Sequence, residues 1–192
     1  KDGVDWDSNT SSDDIDFQNS FDLFVSEINT NTGELVYSTY FGGRGSDSTY
    51  GSLAVKDDII YFAGTTTSID FPTTANANRT VRNVGEADSF LAAINITSGE
   101  LLYSSYIGGS STDDGEALFI SDDGFLYYLG DTWSSDFPTT PNAYQRTYGG
   151  VGDGISGGDI FAMKFDTSDW SIVYSTYLGG NADEGGRAIA VD

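Results

Sequence analysis

Four kinds of apolar run recur along this chain in a fixed order. The first is short and apolar at consecutive positions: Leu53-Ala54-Val55, Ala117-Leu118-Phe119-Ile120 and Ala188-Ile189-Ala190-Val191. Such a run predicts a strand covered on both faces. The second, Ile59 to Ala63 and Phe125 to Leu129, closes on Gly64 or Gly130. The third opens on Asp-x-Phe and spans Asp22 to Ile28, Asp88 to Ile94 and Asp159 to Phe165. Its sides alternate at the strand period, with Phe24, Ser26 and Ile28 opposite Leu23, Val25 and Glu27. The fourth is rich in Tyr, Ser and Thr and ends in a Gly pair. Nothing repeats at the helical period over a helix's length, so the pattern predicts an all-β chain with almost no helix.

The spacing turns these runs into a repeat. YSTYFGG at Tyr37, YSSYIGG at Tyr103 and YSTYLGG at Tyr174 lie 66 and 71 residues apart. DFPTT occurs at Asp70 and Asp136, and a Gly-Glu turn at Gly33 and Gly99 is replaced by DTSDWS at 166–171. Markers that keep one order and nearly one spacing are the signature of repeated structural units. Four antiparallel strands per unit, beginning with a doubly covered one, describe a blade of a β-propeller. The series YSTYLGG, an acidic turn, AIAVD, a strand ending in Gly, DFPTT and DxFxxK resembles the SBBP-type β-propeller repeat, over nearly all of residues 17–192. The resemblance implies a propeller fold of secreted or cell-surface bacterial and archaeal proteins. It implies no activity, because propellers host many.

The units are expected to make one domain over 1–192: about 51–115, 116–185, and a third split between 1–50 and 186–192. Written end to beginning, RAIAVD followed by KDGVDW aligns with EALFISDDGFLY. The C-terminus should therefore supply the first strand of a blade and the N-terminus the second. Known rings use about four to eight blades, so three leave sheet faces and edges uncovered. Two chains closing a ring, an open head-to-tail series through split-blade completion, or a longer parent chain would each cover them. In the first two the expected partner is a second copy of the chain.

Charge narrows the partners. Thirty acidic residues against eight basic give a net charge of −22, so nucleic acid and anionic membranes are disfavoured. No apolar stretch is long enough to span a bilayer. With no Cys and no His, thiol and imidazole chemistry are absent, leaving carboxylates and hydroxyls. No carboxylate pair stands apart from the repeat as acid and base, so a non-catalytic protein is expected.

Calcium is the expected cofactor. Asp5, Asp7, Asn9, Ser11, Asp13 and Asp16 fall at positions 1, 3, 5, 7, 9 and 12 of a calcium loop. Thr10 stands where an EF-hand has Gly and Asp16 where it has Glu, and a solvated acidic segment has the same composition. Acidic residues also follow each Gly pair: Asp47, Asp113 with Asp114, and Asp183 with Glu184. Cation sharing and turn capping both explain them. Tyr37, Tyr40, Tyr103, Tyr106, Tyr174 and Tyr177 fit packing between blades, or a platform for cell-surface glycans. Sequons at Asn9, Asn78 and Asn95 fit secretion. The expected function is an extracellular structural or assembly protein. The competing class is a carbohydrate- or protein-binding propeller module, or a piece of a larger propeller.

Overall fold

The computed structural model describes residues 6–7, 20–83, 85–150 and 158–191. They contain twelve strands and no helix: β1 Trp6–Asp7, β2 Leu23–Ile28, β3 Leu35–Gly42, β4 Asp47–Ser48, β5 Leu53–Lys56, β6 Ile59–Thr66, β7 Asp88–Asn95, β8 Glu100–Ile107, β9 Asp113–Ile120, β10 Phe125–Thr132, β11 Asp159–Asp166 and β12 Ser171–Leu178. The last four form an antiparallel sheet in the order β12-β11-β10-β9. The preceding repeat forms β5-β6-β7-β8 in the same sense, with β4 also on β6. The first repeat has β2 against β3, and a two-residue β1 running parallel to β3 at its far edge.

The repeat in sequence is a repeat in detail. Each unit's third and fourth strands slip register at the equivalent place, Glu27/Ile28, Ala93/Ile94 and Lys164/Phe165, a bulge that sharpens the twist. The hairpin after it needs a left-handed residue. Gly33 (φ 74°) and Gly99 (φ 73°) supply it, and in the third unit Trp170 takes that conformation at φ 62°. Its ring stacks on Tyr103 at 4.0 Å, with planes 4° apart, so packing on the neighbouring unit compensates for the backbone.

Stacking of consecutive units makes the core. Leu23, Val25 and Phe41 on one face of the first sheet meet Ile60, Phe62, Phe90, Ala92, Ile94 and Tyr106 of the second. The second sheet's other face, with Tyr61, Ala63, Leu91, Ala93 and Ile107, meets Leu126, Tyr128, Phe161, Met163 and Phe165 of the third. The same two faces, the leading face of one unit on the trailing face of the one before, are thus used twice. The DFPTT segments fasten each joint. Phe71 and Phe137 pack on Phe90 and Phe161 at 4.6 Å. Asp70 Oδ1 accepts from the Arg44 amide (2.9 Å) and Asp136 Oδ1 from that of Ser110 (2.7 Å), across the Gly-Gly turn of the unit before.

Two expectations fare differently. Leu53-Ala54-Val55 was expected to be covered on both faces, yet Leu53 and Val55 are 53% and 57% exposed. They share the leading face of the second unit with Phe62 and Ile60, their ladder partners. What would cover them is the innermost strand of the first unit, and no described residue occupies that place. Ala188–Val191, expected as that strand, lies in a segment without any ladder. Trp6, aligned with a strand inside β2, pairs instead beyond β3.

Candidate functional site: the open ends of the stack

Every unit ends in a Gly-Gly turn whose first glycine lies against a carboxylate, Asp113 at Gly108 and a pair at each of the other two. Gly42 lies against Asp22 and Asp47, and Gly179 against Asp159 and Glu184. A carboxylate four residues on caps the second glycine: Asp47 to Gly43 N (2.8 Å), Asp113 to Gly109 N (2.8 Å), Glu184 to Gly180 N (2.8 Å). Desolvation raises Asp113 to about 7 despite donors on Thr132, Gly109 and Ser134. Burial also raises Asp47, Asp88 and Asp159. The acidic residues after the Gly pairs therefore act first as turn caps.

The C-terminal segment continues the pattern without finishing it. Gly186 N donates to Asp131 Oδ1 (2.7 Å), as Gly115 N donates to Thr65 Oγ1 one unit earlier (3.3 Å). The approach is close, since a Cβ at 186 would sit 2.5 Å from Leu129 Cδ2 and displace that side chain. Arg187 Nη1 then bridges Glu116 Oε1 (3.0 Å) and Asp131 Oδ2 (3.5 Å), in a recess also lined by Tyr50, Asp114 and Trp133. Burial raises Glu116, Asp131 and Asp114, and the guanidinium opposes this at the first two. Val191 reaches Phe119 and Ile120. The segment thus lies on the third sheet as β9 lies on the second, at the position of a next unit's innermost strand.

At the opposite end, the leading face of the first sheet is bare. Phe24, Ile28 and Tyr40 are 72%, 58% and 61% exposed, while their equivalents Phe90, Ile94 and Tyr106 are at most 1% exposed. Leu35 is open beside them. An apolar face this broad on an otherwise acidic chain is a contact surface. At the far end Leu178, which corresponds to Phe41 and Ile107, and Val173 are part-exposed.

Of the expected calcium loop, Asp5, Asn9, Ser11, Asp13 and Asp16 lie outside the described residues, and Asp7 is seen only as backbone of β1. Among the described residues no group of three or more Asp or Glu is arranged to hold a metal. Tyr103, Tyr106 and Tyr177 are buried between sheets, with the Tyr106 and Tyr177 hydroxyls donating to Ser68 O and Ser134 O (both 2.8 Å). Tyr40 alone of the six is broadly exposed. Sequence reasoning passed over Arg187, and over Arg79 against Gln145 at matched repeat positions. Aligning the units on their Tyr motifs sets Arg187 against Glu116, and aligning them on DFPTT sets Arg79 against Gln145.

Stacked, mainly antiparallel sheets joined face to face in one direction make an all-β repeat architecture of the kind β-propellers use. The SBBP β-propeller repeat matches residues 102–138, from β8 through β9 and β10 to the DFP corner. The chain thus carries a repeat of that family, as its motifs lead one to expect. No curated protein matches the chain.

Proposed function

We propose that this chain is a non-catalytic building block of an extracellular assembly, whose copies join head to tail by completing a shared blade. The observation that carries the reading is the repeated joint inside the chain. One leading face docks on one trailing face twice, and the first leading face is left bare while residues 186–191 lie on the last trailing face, where a further unit's inner strand would run. In the assembly, Phe24, Ile28 and Tyr40 of one copy pack on the third sheet of the copy before it. The docked segment at 186–191 then covers Leu53 and Val55 and offers its free edge to the first sheet, as a donated strand does. Because the two surfaces differ, the contact is heterologous and generates a ring or a filament according to its rotation. At −22 per copy the joints repel unless cations screen them, which is the reason to expect calcium dependence.

Light scattering coupled to size exclusion tests this on the chain and on a variant ending at Gly185. The full chain forms multiples of 20.5 kDa that grow with concentration, and the shortened one stays near one copy. Equal masses for the two would refute donation by the C-terminal segment.

A further inference from the structure

We propose that the third Gly-Gly turn is a divalent-cation site, with Asp159 and Glu184 as its protein ligands, in the place where the second unit uses a guanidinium. The two turns match in how donors reach the buried aspartate and differ in the side chain that reaches the first glycine. In the second, Asp88 Oδ2 accepts from the Asn83 amide (3.1 Å) and from Arg79 Nη2, while Arg79 Nη1 donates to Gly108 O (2.7 Å). In the third, Asp159 Oδ2 accepts from the Gly149 amide (2.9 Å) and from Gln145 Nε2 (3.0 Å), and Gln145 Oε1 takes the Gly179 amide (3.1 Å). The two donors to the carboxylate are kept, the bond to the first glycine is reversed, and a full positive charge is gone.

What remains is a carboxylate pair that the protein has not neutralised. Asp159 has no exposed surface, and among the described residues its Oδ1 has no hydrogen-bond partner, a lack shared by Asp47 Oδ1 and Asp88 Oδ1 in the other two turns. That atom and Glu184 Oε2 are both among the nearest neighbours of the Cβ position on Gly179, so the two oxygens lie close to one point. A buried carboxylate oxygen without a donor is costly, and a hard cation removes the cost. Oxygen-only ligands with room for water suit calcium, and a site with two carboxylates belongs with the weak extracellular ones, with dissociation constants of about 0.1–1 mM. Glu184 lies two residues before Gly186, so an ion here also holds the start of the docked C-terminal segment.

Calcium titration by calorimetry, read as ions bound per chain, tests this whatever the association state. Gln145→Arg restores the second unit's arrangement and Glu184→Gln removes one ligand. Each is expected to bind one ion fewer than the parent chain, and Gln145→Arg also to melt at a higher temperature in EDTA. The same ion count in the parent and in either folded variant would overturn the proposal, as would a parent chain that binds no calcium.

Discussion

Replacing Phe24 and Ile28 by Ser separates a docking face from a core. The same face already carries Ser26, so the double variant extends a side chain the sheet tolerates. Fully burying a Phe or Ile contributes roughly 1.5–3 kcal/mol. With 72% and 58% of the two side chains still open, most of that gain is unrealised in the isolated chain, about 3 kcal/mol for the pair. The variant should therefore lose about two orders of magnitude in self-association, at roughly 1.4 kcal/mol per tenfold. Its own unfolding free energy should change by less than about 1 kcal/mol, because surface substitutions cost little. Phe90→Ser makes the contrasting change at the equivalent position, where Phe90 is fully covered, and should cost about 3–5 kcal/mol of stability. Sedimentation velocity over a concentration series gives the first quantity and urea unfolding the second. If the Phe24 and Ile28 double variant associates like the parent, or loses as much stability as Phe90→Ser, the inference from the repeated joint is wrong.

Three further outcomes follow from single groups. Trp170→Gly relieves a left-handed backbone worth about 1 kcal/mol but removes the stack on Tyr103, so thermal unfolding should show a net loss of roughly 3 kcal/mol. Asp113 holds its proton to about 7 in the fold against 3.8 for an ordinary aspartate, so between these pH values the native state binds more protons and stability falls as pH rises. Asp113→Asn should flatten that slope in urea midpoints measured from pH 5 to 8, and an unchanged slope would place its origin elsewhere. Arg187→Glu sets a third carboxylate beside Glu116 and Asp131. Global stability should hardly move, since Arg187 is mostly exposed, but hydrogen exchange at 187–191 should accelerate and self-association weaken.

Strand type and order were legible because a strand covered on one face alternates, and because each unit repeats its Gly, Asp-x-Phe and Tyr-Ser punctuation. The stacking through Phe161 was equally open, since it sits on the apolar side of an alternating run, and the strand of Phe90, apolar on both faces, reads as one covered by sheets on each side. Trp170 was opaque: nothing in DTSDWS announces a left-handed tryptophan, whose conformation is held by Tyr103 of another unit. The run Ala188–Val191 has the composition of an inner strand, but a ladder needs a partner edge, and composition cannot say where that edge lies. Its absence among the described residues is also what leaves Leu53 and Val55 open. The calcium-like spacing at Asp5 to Asp16 and the carboxylates of the Gly-Gly turns look alike in sequence. Only the turn geometry distinguishes a cap already satisfied, such as Asp113, from Asp159 with an oxygen to spare.

Because the chain has no cysteine, two introduced thiols report one contact without background. Phe24→Cys and Leu178→Cys mark the bare leading face and the far trailing face, the positions corresponding to Phe90 and Phe41, whose rings are 6.5 Å apart within the chain. Mixed in equal amounts and treated with a short thiol cross-linker, the two single variants should join to each other and neither to itself. Cross-linking of Phe24→Cys alone, or none in the mixture, would contradict head-to-tail continuation of the stack.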